Sequence, residues 1–231
     1  MTPSDLVGMC LLNGQQLIAL TDHNTARNCP AAAYAAGIYG IGFIPGIEVT
    51  TSEDIHVICL FPSLEPALDF DQMLYEHIPD IPNNPAIFGE QVICNAHGEP
   101  RDTEPRLLIA GCDISVMDLP GVVNKYSGIC YPAHIDRAGN GLLSILGLWP
   151  MDLDVKAAEA GLRGLAPGEK ASPDILGLIP ENLKIIRASD AHRLQDLPLY
   201  GFEIDMESPD FTGLAQWLEA GDNNPRDGSC P

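Results

Sequence analysis

The chain has 231 residues, 45% of them hydrophobic, which is enough for one sizeable buried core and makes a single α/β domain the expectation. Its 32 acidic against 12 basic residues give a formal net charge of −20, which opposes strong nucleic-acid binding through phosphate neutralisation and adhesion to anionic membranes. No apolar run approaches the roughly 20 residues of a membrane-spanning helix and no charged, then apolar, leader is visible, so a cytoplasmic protein is expected.

Thr2-Pro3-Ser4-Asp5 has the form of a helix start, with Thr2 as N-cap and Pro3 in the first helical position, and the helix runs to Gly14 on the outside of the fold. The apolar run from Leu17 to Thr21 reads as a strand leading into Asp22 and His23. The Ala-rich segment from Cys29 to Tyr39 closes at Gly40, so it reads as a helix between two buried parallel strands. The second of those strands runs from Gly42 to Glu48. A short polar turn then makes the run Ile55 to Phe61, which carries His56, antiparallel to it.

Beyond Pro62 the pattern weakens. Leu64 to His77 reads as a helix with Leu68, Met73 and Leu74 inward, and Pro79, Pro82 and Pro85 break the chain after it. Gln91 to Asn95 and Arg106 to Ala110 read as two strands of a hairpin excursion about a Gly-Glu-Pro turn, with His77 and His97 facing solvent. Asp113 to Lys125 reads as a helix interrupted at Pro120-Gly121, and Tyr126 to Ile135 as an apolar strand that ends at His134 and Asp136. Next come a loop at 137–140, a short helix from Leu142 to Leu148, a helix from Asp152 to Ala160 and a Gly/Pro/Lys loop from Gly161 to Pro173. After a short helical turn from Asp174 to Pro180, the strand Leu183 to Ala188 leads to Asp190 and His192. Tyr200 to Asp205 is one more strand, Phe211 to Ala220 an amphipathic helix with Leu214, Trp217 and Leu218 inward, and 221–231 a flexible tail.

Four strand ends thus supply His23, Glu48, His134, Asp190 and His192, and a fifth run carries His56. A lone histidine after a strand is more often a capping or satisfied polar residue than a ligand. Several at the carboxyl ends of strands, where ligands and catalytic groups collect, change that balance. Imidazole with carboxylate suits zinc, manganese or iron, and a glutamate can bridge two ions. Such a centre lowers the pKa of bound water toward 7 and neutralises a phosphoryl group, which is the chemistry of phosphoester hydrolysis. Arg137 and Arg193, each close behind a candidate ligand, can grip phosphate in a bidentate way, and the plain alternative for both is a surface ion pair. No nucleophile elbow, Walker loop or dinucleotide fingerprint is present. The 7 cysteines have no CxxC spacing and read as buried free thiols in a reducing compartment; Cys130, by parity with His134, points either to the site or into the core.

The segments ALTDHN around His23, GIEVTT around Glu48, DIHVICLF around His56, PAHIDR around His134 and SDAH around Asp190 and His192 resemble, in this order, the PHP (polymerase and histidinol phosphatase) family of metal-dependent phosphoesterases. The resemblance covers nearly the whole chain. It implies a distorted, TIM-like barrel of seven β/α units over residues 1–220, with the excursion at about 62–111. It also implies up to three divalent ions: Glu48, His56 and His134 hold one, His23 and His192 another, and Glu48 and Asp190 share in a third. The family's first strand carries His-x-His, whereas this chain opens at MTPSDLVGMCLLNG, which resembles the segment the family places after that motif. The expectation is therefore a barrel missing its first strand, with fewer than three ions, weak activity and an exposed strand edge. Two functions stay open. One is a phosphoesterase using metal-activated water on a small metabolite, nucleotide or oligonucleotide ester, with Glu48, Asp190, Arg137 and Arg193 as catalytic residues. The other is a catalytically impaired, partly metallated remnant that serves as a binding or scaffold protein.

Overall fold

Local chemistry sets the first two helices where the sequence puts them. In α1 (Pro3–Leu12) the Thr2 hydroxyl accepts from the Asp5 amide at 3.2 Å and the Asp5 carboxylate accepts from the Thr2 amide, so two amides at the helix start are satisfied reciprocally. Helix α2 (Cys29–Tyr39) stops at Gly40, whose φ of 70° lies in the left-handed region that a glycine enters without strain. Its small buried face of Ala32, Ala35 and Ala36 lets it pack closely on Leu6, Val7 and Cys10 of α1.

The computed structural model describes residues 1–160, 177–197 and 202–220, which form a mixed α/β fold. In chain order the further elements are β1 (Leu17–Leu20), β2 (Gly42–Thr50), β3 (His56–Leu60), α3 (Leu64–His77), α4 (Pro85–Phe88), β4 (Val92–Cys94), β5 (Pro100–Thr103), α5 (Leu119–Asn124), β6 (Ile129–Pro132), α6 (Leu142–Leu146), β7 (Ala157–Glu159), β8 (Lys184–Ile186) and α7 (Phe211–Glu219). The main sheet has the order β1-β2-β3-β6; β1 and β2 are parallel, and β3 is antiparallel to both β2 and β6. Strands β7 and β8 pair in parallel, and the Ile135 amide just past β6 donates to Glu159 O of β7 at 2.9 Å, which ties the two sheets together at one end.

Alternation along the strands buries both faces of the main sheet. Ile47, Val49, Val57 and Cys59 face Ala67, Phe70 and Leu74 of α3, while Ile44, Ile58, Leu60 and Tyr131 face Leu214 and Leu218 of α7. Leu74 is inward as expected, but Leu68 and Met73 only flank the core, whose larger contribution from α3 is the fully buried Phe70. Cys130 packs against the same core opposite Cys59, in line with the packing reading.

Several expected elements differ. The returning strand of the excursion is β5, not Arg106–Ala110, because the turn closes within four residues: Gly98 takes a φ of 78°, its amide donates to Asn95 O at 2.9 Å, and pairing resumes at once. Pro120 sits in the first turn of α5, where its missing N–H leaves no bond unmade, so it opens a helix instead of interrupting one. The stretch 152–160 is not a helix; Ala157–Glu159 is strand, since its backbone pairs with β8 and both its faces are buried, and tertiary pairing overrides alanine's helical preference. Residues 202–205 form no strand, and residues 161–176, 198–201 and 221–231, with the expected loop, part of the helical turn and the tail, lie outside the described residues. Among the described residues no helix is long and apolar enough to cross a membrane.

Candidate metal centre

The sheet delivers its polar side chains to one end. His23, just past β1, forms a parallel bridge with Glu48 of β2, fixed by Asn24 N to Glu48 O at 2.9 Å and Glu48 N to Asp22 O at 3.1 Å. Because β3 runs the opposite way, its first residue, His56, lies opposite Thr50 at that same end. His134 follows β6, anchored by the Ala133 amide on His56 O at 2.9 Å. Asp190 and His192 follow β8, and Glu159 closes β7.

Glu48 is the centre of the group. Its Oε1 lies 2.9 Å from His56 Nδ1 and 3.3 Å from His134 Nε2, and its Oε2 lies 3.5 Å from His23 Nδ1. The donor atoms of His23, Glu48 and His56 all fall within 4.8 Å of one another. The rings of His23 and His56 stand 5.1 Å apart, those of His56 and His134 5.2 Å, and those of His23 and His192 6.0 Å. Asp190 lies in the same field and accepts from Arg137 Nη1 at 3.0 Å, with His192 Nδ1 3.5 Å from its other oxygen. The sequence candidates His23, Glu48, His56, His134, Asp190, His192 and Arg137 thus come together; Arg193 is exposed at the start of the short 3-10 helix Leu194–Asp196.

Burial makes this arrangement costly unless something holds it. Nδ1 of His23, His56 and His134 is buried and makes no hydrogen bond among the described residues, although those of His23 and His56 each face an oxygen of Glu48. Buried polar atoms are nearly always paired, so lone-pair donors converging without hydrogen bonds fit a shared cation. Burial pushes the Glu48 carboxyl up, but the nitrogens of His134 and His56 and the charge of His23 outweigh it and hold it well below the usual range. Burial lowers His23, and the charge of Glu48 only partly offsets that; at His134 the hydrogen bond to Glu48 overcomes burial and raises the imidazole. A carboxylate kept ionised beside a neutral imidazole is a suitable ligand pair.

Backbone strain concentrates here as well. Asn24, His134 and Asp190 have φ of 50°, 29° and 45°, conformations that persist where surrounding structure enforces them. Asn24 is enforced by its side chain, which donates to Leu108 O at 2.7 Å and Ala110 O at 2.9 Å and accepts from the Thr50 amide at 2.9 Å. Gly141 lets the 137–140 loop fold beneath His134, since a Cβ there would strike Arg137 O and His134 O.

Sequence reasoning missed two members. Glu159 is buried in the field of His134, Glu48 and Asp190; its only signal is its place in the stretch Ala-Ala-Glu-Ala at 157–160, which by residue type favours a helix. Asn24 carries a weaker one, as an asparagine directly after a candidate ligand.

No family model matches the sequence, and no curated protein matches it significantly. Solved structures do. A lesion-specific endonuclease, Endonuclease Q from Pyrococcus furiosus, superposes with a TM-score of 0.58 at 14% identity over 94% of this chain and 50% of its own. Endonuclease Q with a 27-mer duplex bearing an abasic lesion gives 0.56 at 14% identity, over 95% and 52%. A protein assigned as a metal-dependent phosphoesterase from Bifidobacterium adolescentis gives 0.55 at 17% identity over 96% and 92%. The chain spans about half the length of the endonuclease and nearly all of the phosphoesterase. These superpositions show that the chain shares the mixed α/β fold of Endonuclease Q and of that phosphoesterase.

Proposed function

We propose that the protein is a metal-dependent hydrolase of phosphate esters, with His23, Glu48, His56 and His134 as the core of its metal centre. The observation that carries this reading is the convergence of three imidazoles on one buried carboxylate, with Nδ1 of His23 and of His56 facing it without a hydrogen bond among the described residues. A divalent zinc, manganese or iron ion bound there supplies activated water and neutralises phosphoryl charge. The chain's own groups do the rest. Glu48 stays ionised and orients the three rings; Asp190 aligns Arg137, whose other guanidinium N–H groups make no side-chain bond among the described residues and can hold a phosphate oxygen beside the histidines. Arg193 and His192, both exposed, belong to the mouth of the site in this reading. A distorted β/α barrel is the architecture we assign to this strand row, and fewer than three ions are expected, with His192 and Asp190 beside the central group.

The duplex substrate of Endonuclease Q is not carried over, because that protein is about twice as long and a net charge of −20 repels a polyanion. A small phosphorylated substrate fits better. Metal analysis of purified protein and of His56→Ala, with a panel of phosphomonoesters and diesters assayed on manganese- and zinc-loaded enzyme, tests the proposal. Bound metal and ester hydrolysis that both drop at least about tenfold in the variant are expected. Equal metal content in the two proteins would refute the assigned centre.

A further inference from the structure

Beside His23, between the exit of β1 and the β4–β5 hairpin, lies a cavity of about 240 Å³. His23 belongs both to this cavity and to the metal-ligand group, so a substrate whose phosphoryl group sits on the histidines has its remaining part directed here. We propose, resting on the hydrolase reading above, that this cavity binds the leaving group of the ester and selects an apolar, ring-bearing alcohol.

The lining decides the chemistry. Phe88, Val92, Ile93, Leu108 and Ile109 form an apolar wall, and Phe88 and Ile109, 50% and 45% exposed, stand at its rim as apolar surface left in water. Of the polar side chains in the lining, Asn28, Gln91, Thr25 and Glu104 are engaged by the scaffold, Asp22 accepts from Asn28, and His23 faces Glu48 at the end next to the metal-ligand group. The Asn28 amide donates to Asp22 Oδ2 at 3.0 Å and to Val92 O at 3.1 Å while its oxygen accepts from the Cys94 amide at 2.9 Å. Gln91 donates to Glu104 O and Arg106 O and accepts from the Leu108 amide, and Thr25 donates to Asp71 at 2.7 Å. Glu104 accepts from Tyr75 at 3.0 Å and pairs with Arg27. These bonds also clamp the hairpin to α2 and to the β1 exit, so the wall is preformed, and such a pocket binds without the entropic cost of ordering it.

A nucleobase or sugar entering here leaves its donors and acceptors against apolar side chains, which buried polar groups do not tolerate. A plain ring has no such penalty. A cavity of roughly 150 Å³ is known to hold benzene, so this volume accommodates one to two fused rings. The reaction balances as hydrolysis: the oxygen of water bonds to phosphorus, the bond from phosphorus to the aryl or alkyl oxygen breaks, and that oxygen leaves with a proton from the water as the free alcohol.

Two measurements decide the matter. The first is binding of 2-naphthol to metal-free protein, followed by its fluorescence, in wild type, Ile93→Asp and the milder Ile93→Ala, with melting curves to confirm folding. Saturable binding that is lost in Ile93→Asp and weakened in Ile93→Ala is expected; no saturable binding to wild type overturns the proposal. The second is the ratio of kcat/KM for 2-naphthyl phosphate to that for glycerol phosphate and for adenosine 5′-phosphate on the manganese-loaded enzyme. A ratio of at least about tenfold in favour of the naphthyl ester, falling in the Ile93 variants, is expected; equal values, or preference for the nucleotide, overturn the proposal. Absence of hydrolysis for every ester contradicts the hydrolase reading instead, and the naphthol titration still decides what the cavity binds.

Discussion

Glu159 holds its proton close to neutrality because of where its backbone puts it. Burial raises its carboxyl most, the nearby His134 lowers it, and the charges of Glu48, Asp190 and Asp136 raise it further, to about 7. The unfolded carboxyl titrates near 4.5, so between pH 4.5 and about 7 the folded metal-free protein binds one more proton than the unfolded chain. Stability is therefore fully present below the lower value and declines as pH rises through about 7, by up to about 3 kcal/mol. Glutamine at this position is neutral throughout. We expect Glu159→Gln to remove that decline, with urea midpoints in EDTA measured at pH 5, 6, 7 and 8; parallel curves for the two proteins would contradict the assigned environment.

At the scale of elements, the site depends on how the excursion is fastened to the sheet. The turn after β1 is held by Asn24, whose side chain spans from β2 to the returning segment at Leu108 and Ala110. Its three hydrogen bonds are within the fold, and a replacement also has to adopt a φ of 50°, which asparagine tolerates better than alanine. Asn24→Ala should thus lose about 3 kcal/mol of stability, through unpaired buried groups and backbone strain together. Asn24→Gly, which keeps the conformation, should lose less. Denaturation midpoints with constant m-values check this, and a loss below about 0.5 kcal/mol in the alanine variant would show that the excursion is held elsewhere.

For the molecule as a whole, the converged donors and the net charge of −20 point the same way, toward a fold that gains from bound cations. A ligand that binds only the native state stabilises it by RT ln(1 + [L]/Kd), about 2.7 kcal/mol at 100 times Kd. For a domain of this size that corresponds to a rise in Tm of roughly 5–10 °C. Melting curves in EDTA and in excess manganese or zinc should differ by this amount for wild type and coincide for Glu48→Gln. A rise of equal size in the variant would mean that the ions act at the acidic surface and not at the centre.

What the sequence determined is what depends on local or periodic information. The capping box at Thr2, the end of α2 at Gly40, the antiparallel turn into β3 and the placement of candidate ligands at strand ends all come from residue type and spacing, because each is decided within a few residues. These sufficed to name His23, Glu48, His56, His134, Asp190 and His192 as one group, since strands of a sheet buried on both faces bring their polar termini to a common end. Long-range pairing was out of reach. Whether Ala157–Glu159 is helix or strand depends on β8, more than twenty residues away, and with it the inclusion of Glu159 in the site. The engagement of Arg137 by Asp190, and the cavity whose lining residues Asn28, Gln91, Thr25 and Glu104 are taken up by bonds to the scaffold, likewise exist only once distant segments are packed together. Single side chains carry no record of such partners, and tertiary structure alone decides which of them remain free to act.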